Sequence, residues 1–145
     1  MPTINPYLTF DGTTEAAFNF YKEALGNEFV TFQRFGDAPS DQKLPESEAN
    51  RIMHVALPIG QNAVLMGSDT SASHGHAVTM GNNFSISLGA DSKEEAKKIF
   101  DGLSAGGRVT MPLADTFWGA YFGMFTDKFG INWMVSFNET YYQNK

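Results

Sequence analysis

Cysteine is missing from the 145-residue chain, which excludes disulfides, thiolate metal centres and thiol nucleophiles. Long hydrophobic runs are missing too, and none approaches the roughly 18–20 apolar residues that a membrane-spanning helix needs. The start, Met1-Pro2-Thr3-Ile4-Asn5, has neither the basic stretch nor the apolar core of a secretory signal. A cytoplasmic location is therefore expected. Bases are scarce, with 10 Lys and Arg against 16 Asp and Glu and a net charge of −6. Charge of that sign disfavours phosphate backbones and anionic lipid, so no nucleic acid and no membrane are expected as partners. No glycine-rich phosphate loop follows a strand and opens a helix, and no Gly-x-Ser-x-Gly elbow turns from a strand into a helix. Nucleotide binding and serine hydrolysis thus have no positive support.

What is present suits a globular protein: 42% of residues are hydrophobic and 14% aromatic. A chain of this length buries about 68–70% of its unfolded surface and needs no covalent or metal staple. Thr3 to Phe10 alternates as a half-buried strand, with Ile4, Leu8 and Phe10 on one side and Asn5, Tyr7 and Thr9 on the other. Thr13 to Leu25 repeats apolar residues at helical spacing, and Gly26 follows where a left-handed cap is cheapest. Asn27 to Phe35 has strand composition, the stretch holding Gly36, Pro39, Ser40 and Pro45 is a loop, and Arg51 to Ile59 turns through Gly60-Gln61-Asn62 into Ala63 to Gly67. Ser68 to Asn83, rich in Ser, Gly, Thr and His, is expected to be a surface connection.

The pattern then repeats at an offset of about eighty residues. Phe84, Ile86 and Leu88 alternate as a strand. Ser92 with Glu95 has capping-box spacing, Ala96, Ile99, Phe100 and Leu103 form an apolar stripe, and Gly106-Gly107 ends the helix. Arg108 to Leu113, Trp118 to Thr126 and Ile131 to Phe137 supply three more strands. Each half therefore spells β-α-β-β-β, and neither half alone has enough strands to close around a core. The class is α+β: two paired modules forming a curved sheet cleft with helices outside, a single domain over 1–145 with module 1 at about 1–69, a connection at about 70–82 and module 2 at about 83–145.

Three ordered segments carry a family resemblance. They are Pro6-Tyr7-Leu8-Thr9-Phe10 with Ala17-Phe18-Asn19-Phe20-Tyr21; His54-Val55-Ala56-Leu57 through Leu65-Met66-Gly67-Ser68-Asp69; and Asp115-Thr116-Phe117-Trp118-Gly119 through Thr126-Asp127-Lys128-Phe129-Gly130-Ile131-Asn132-Trp133. In these the chain resembles the vicinal oxygen chelate superfamily, the glyoxalase/bleomycin resistance/dioxygenase proteins, and within it the PhnB-like family. The resemblance implies that fold and a homodimer, sometimes with exchanged modules. It leaves the activity open, because the scaffold hosts isomerases, dioxygenases, thiol transferases and non-catalytic drug binders. Some PhnB-like proteins have carried methyltransferase names, but nothing here resembles a Rossmann site for S-adenosylmethionine.

Metal-using relatives take one ligand, normally His, Gln or Glu, from each of the first, fourth, fifth and eighth strands. The resemblance maps these positions onto Asn5, Met66, Ser85 and Met134. A thioether suits soft copper and a serine hydroxyl is a poor donor, so the expectation is a cleft without the family metal and without a cofactor. Tyr7, Thr9 and Ser87 would add polar points around a floor of Met66 and Met134, and Trp118 would stand at the rim. His54 is the candidate general base or ligand partner, against the alternative of a structural histidine. His74-Gly75-His76 with Asp69 resembles a small metal clip set in a loop without rigid support. Trp133, Val135 and Phe137 should face the helix, opposite Met134. The expected function is binding of a small, partly apolar molecule. The alternatives are an enzyme, metal-dependent or centred on His54, and a purely structural dimer module.

Overall fold

The computed structural model describes residues 2–37, 44–71 and 77–138. Two compact units divide the chain, Met1–Thr79 and Met80–Lys145. In the first, β1 (Tyr7–Phe10), α1 (Thr14–Leu25), β2 (Thr31–Arg34), α2 (Glu46–Ala49), β3 (Ile52–Ile59) and β4 (Ala63–Asp69) follow in order. The second contains β5 (Ile86–Gly89), α3 (Lys93–Ser104), β6 (Arg108–Asp115), β7 (Tyr121–Thr126) and β8 (Asn132–Phe137). The sheet orders correspond, β1-β4-β3-β2 and β5-β8-β7-β6, each with its first strand parallel to its neighbour and the remaining pairs antiparallel.

Strand alternation gives each sheet one face for a helix. In the first unit Leu8, Phe10, Val55, Leu57 and Leu65 are buried together with Ala17, Phe18 and Tyr21 of α1. The second buries Leu88, Phe125, Trp133 and Val135 together with Ala96, Phe100 and Leu103 of α3. Close approach of helix to sheet depends on a glycine in each. A Cβ on Gly67 would stand 2.6 Å from Phe18 Cε1, and one on Gly123 would stand 2.6 Å from Phe100 Cε2. Real Cβ atoms do not approach so closely, so a side chain at either position would push helix and sheet apart.

The first strand is shorter than its alternation suggests. Pro6 has no N–H for a ladder, the Asn5 side chain instead accepts the Val64 N–H at 3.0 Å, and Ile4 is 94% exposed rather than sharing the face of Leu8 and Phe10. The strand expected from Asn27 begins only at Thr31, and Asn27 Nδ2 donates to the Pro58 carbonyl at 2.7 Å. The short helix α2 lies where a loop was expected. Ser68 and Asp69 are the last residues of β4 rather than the start of a connection. Trp118 lies in a turn before β7 rather than in the strand expected from Trp118, and Asp115 closes β6.

Candidate functional site

Because α1 and α3 take one face of each sheet, the candidate residues fall on the opposite faces. In the first unit the register sets Tyr7, Met66, Ala56 and Thr31 in one row across β1, β4, β3 and β2. Directly opposed residues project to the same side of a sheet, so Thr9 beside Ser68, and His54 beside Gln33, lie on this face as well. Tyr7 is 49% exposed, while Thr9, His54 and Met66 are half-buried. The Tyr7 hydroxyl stands 3.4 Å from His54 Nδ1, and the two rings stack with centroids 5.8 Å apart and planes at 22°. Either side can donate in this contact: with the ring hydrogen on Nε2 the phenol O–H donates to Nδ1, and with it on Nδ1 the imidazole donates to the phenol oxygen. His54 therefore meets a phenol where a catalytic base would meet an orienting carboxylate.

The corresponding row in the second unit is Ser87, Met134, Met124 and Met111, across β5, β8, β7 and β6. Phe122 and Ser136 are paired on the same face. Trp118, 53% exposed, packs edge-on against Phe122 at 5.9 Å and Phe117 at 5.1 Å. Trp133 lies on the other face, fully buried, and its indole N–H donates to Asp127 Oδ2 at 2.8 Å. Asp127 Oδ1 also accepts the Phe129 and Ile131 N–H groups at 2.8 and 3.1 Å, so this carboxylate fixes the turn between β7 and β8. Among the expected site residues, Tyr7, Thr9, His54 and Met66 share the open face of the first sheet, while Ser87 and Met134 share that of the second. Asn5 and Ser85 precede β1 and β5. His74 and His76 lie outside the described residues.

Met124 and Met111 extend the row beyond the residues expected from spacing. Met124 was available as the alternate of Phe125 along its strand. Met111 was hidden by two register shifts in β6, between Val109 and Met111 and between Met111 and Ala114. A strict period of two would put Met111 on the face of Val109, whose partner Phe125 is buried. A bulge breaks that period. The string Gly102-Leu103-Ser104-Ala105-Gly106 spells Gly-x-Ser-x-Gly, but it runs off the C-terminal end of α3. It therefore does not make the strand-to-helix elbow that exposes a nucleophile. A depression of about 400 Å³ is lined by Asn19, Lys22, Glu23, Gly26, Asn27 and Glu28 at the end of α1, away from the candidate residues.

The four positions assigned to metal in the resemblance offer an amide, a hydroxyl and two thioethers. The Asn5 amide oxygen is already engaged by Val64 N–H. Such a set does not fit nickel, zinc or iron, which take imidazole, thiolate or carboxylate. Among the described residues no group of three or more His, Cys, Asp or Glu is placed to hold a metal ion. No helix among them is long and apolar enough to cross a membrane.

Residues 3–135 match the family described as Glyoxalase/Bleomycin resistance protein/Dioxygenase superfamily. Protein YjdN of Escherichia coli (strain K12) is 33% identical over 144 residues, covering 92% of this chain and 93% of its own. The crystal structure of protein PA1353 from Pseudomonas aeruginosa is 41% identical with a TM-score of 0.82, covering 95% of this chain and 98% of that one. The PhnB protein from Bacillus cereus is 25% identical with a TM-score of 0.74, covering 94% and 99%. Family match, curated relative and solved structures agree over almost the entire chain, which therefore belongs to the glyoxalase/bleomycin resistance protein/dioxygenase superfamily and is PhnB-like.

Proposed function

We propose that the protein binds a small, partly apolar molecule on its open sheet faces, without the divalent ion used by metal-dependent members of the superfamily. The observation that carries this reading is the donor set at the four family positions, Asn5, Met66, Ser85 and Met134. Thioethers and a committed amide cannot hold a borderline divalent cation, whereas they suit contact with apolar surface. On the first sheet Tyr7, Thr9 and His54 supply hydrogen-bonding groups beside Met66; on the second Ser87 stands beside Met134 and Trp118 supplies an exposed ring. A few placed polar groups on a mainly apolar surface is the usual composition of a small-molecule site.

The test is thermal melting against a panel of hydrophobic and planar compounds, with metal analysis of the purified protein. A compound at one hundred times its Kd stabilises the folded state by about 2.7 kcal/mol. The expected result is such a shift, lost in Met66→Ala and Trp118→Ala variants that still melt cooperatively. A stoichiometric divalent ion whose removal abolishes a measured turnover would overturn the reading. The Tyr7–His54 contact favours a second reading, a metal-free catalyst, which predicts turnover that disappears in His54→Gln. A homodimer belongs to the same proposal: each four-stranded sheet ends in edge strands that gain from being covered, and sedimentation at graded concentrations checks it.

A further inference from the structure

The geometry points to a soft-cation site on the open face of the second sheet: we infer that Met111, Met124 and Met134 together bind a monovalent, thiophilic ion of the Cu(I) or Ag(I) class. The three residues sit on three successive strands and are mutual register partners, Met111 opposite Met124 and Met124 opposite Met134. Directly opposed residues bring their Cβ atoms to about 4.5–5.5 Å and point the same way. An unbranched side chain with three rotatable bonds and a terminal thioether then has the reach to converge above the middle strand. Trp133 and Val135, which flank Met134, are fully buried on the helix side, so the alternation turns Met134 to the open side. Met124 and Met134 are half-buried and Met111 is 41% exposed, so an ion from solvent has access.

The donor chemistry selects the ion. Thioether sulfur is neutral and polarisable, favours Cu(I), and is a poor ligand for hard or borderline divalent ions. The chain has no cysteine, so no thiol competes for a thiophilic ion. The equivalent row of the first sheet, Tyr7, Met66, Ala56 and Thr31, has a single methionine. The site therefore belongs to one copy of the repeat. It shares Met134 with the organic-ligand surface proposed above but does not rest on that reading, and it is tested with no organic compound present.

Ag(I), which is redox-inert and equally soft, is titrated calorimetrically into the full chain, and Cu(I) is titrated anaerobically against a chromogenic chelator. One ion per chain is expected for each. Affinity should fall by about tenfold or more, 1.4 kcal/mol per decade, in Met111→Leu/Met124→Leu/Met134→Leu, since volume-conserving exchange to leucine usually leaves folding intact. His74→Gln/His76→Gln and Met53→Leu should bind as the parent does. Should the triple variant fail to melt cooperatively, methyl spectra of [13C-methyl]methionine protein decide. Of the seven methionines, those at 111, 124 and 134, identified through single leucine variants, must be the ones that move with Ag(I). Absence of binding by the parent, unchanged affinity in a folded triple variant, loss in the histidine variant, or movement of other methyls instead would each overturn the proposal.

Discussion

The two units begin their helices by different means. In the second, Ser92 caps α3 locally: its hydroxyl accepts the Glu95 N–H at 3.0 Å, and Glu95 reaches back to the Asp91 N–H at 3.0 Å. In the first, Thr13 makes no such side-chain bond. Its place is taken by Asp69, at the far end of β4. Asp69 Oδ1 accepts from Gly12 N, Thr14 N and the Thr14 hydroxyl at 2.9, 3.1 and 2.7 Å, while Oδ2 accepts from Ile52 N at 2.9 Å. One carboxylate, itself buried, therefore ties together the end of β4, the beginning of β3 and the positive end of α1. Repetition of an architecture does not require repetition of its fastenings. A local cap stabilises its own helix, whereas a tertiary one couples three elements.

The comparison breaks most visibly at Asp69. Asp69→Ala strips buried donors of their acceptor, at about 1–3 kcal/mol for each unsatisfied group, so a total loss of about 3–5 kcal/mol is expected in denaturant melts. Unfolding should remain cooperative and simply shift. A loss below about 1 kcal/mol, the scale of a single local cap, would show that the two helix starts are energetically alike after all.

Next come the glycines beneath the helices, a feature that each unit has in its own sheet. A Cβ on Gly67 would also come within 2.9 Å of the Leu8 carbonyl oxygen, and one on Gly123 within 2.9 Å of Leu113 Cα. Backbone cannot retreat as a flexible side chain can. Gly67→Ala and Gly123→Ala should therefore each cost about 1–3 kcal/mol, the usual range for overpacking. Comparable thermal shifts are expected from the two variants. A shift in only one would mean that its partner unit has slack between helix and sheet.

A smaller effect sharpens the same contrast. Ser92→Ala should lose about 1 kcal/mol, typical for removal of an N-cap side chain, whereas Thr13→Ala should change stability by less than about 0.5 kcal/mol. Chemical denaturation of the two single variants checks both numbers. Equal losses would contradict the division into local and tertiary capping.

Much of the duplicated fold was legible because its signals are local. The capping box at Ser92, the apolar stripe through Ala96, Phe100 and Leu103, and Gly26 in a left-handed cap at φ 80° each lie within a few residues of the element they define. Composition alone assigns Asp69 to a polar connection, because its partners at Gly12 and Thr14 are more than fifty residues away. Tyr7, Met66, Ser87 and Met134 could be placed on their faces by alternation and offset. Met111 could not, since the irregular pairing of β6 resets its period. Strand propensity of Trp and the aromatics that follow it puts Trp118 in a strand. The turn with Gly119 at φ 95° prevails over that preference. The meeting of Tyr7 with His54 across two strands depends on register, which no single stretch of sequence states.

The smallest difference concerns charge. Each unit joins the start of its helix to its outer strand by an ion pair of opposite polarity: Glu15 on α1 with Arg34 on β2, and Lys93 on α3 with Asp115 on β6. The first is two-pronged, with Arg34 Nη1 and Nη2 donating to the two Glu15 oxygens at 2.9 and 2.8 Å; the second is a single 2.9 Å contact. Hydrogen bonding and attraction from Arg34 hold the Glu15 carboxyl below its ordinary value, against some opposition from burial. A carboxyl depressed in the folded state favours folding most fully above its unfolded value of about 4.3. That contribution disappears as pH falls through the lower folded value. With the Glu15 side chain 45% exposed, solvent screening limits the effect to about 0.2–1 kcal/mol. Glu15→Gln should therefore lower the melting temperature slightly at pH 7 and converge with the parent in acid below the folded value. Lys93→Gln should shift it less at pH 7, because both partners of its ion pair are more exposed. A Glu15→Gln deficit that persists undiminished in strong acid would assign the loss to packing of the side chain rather than to its charge.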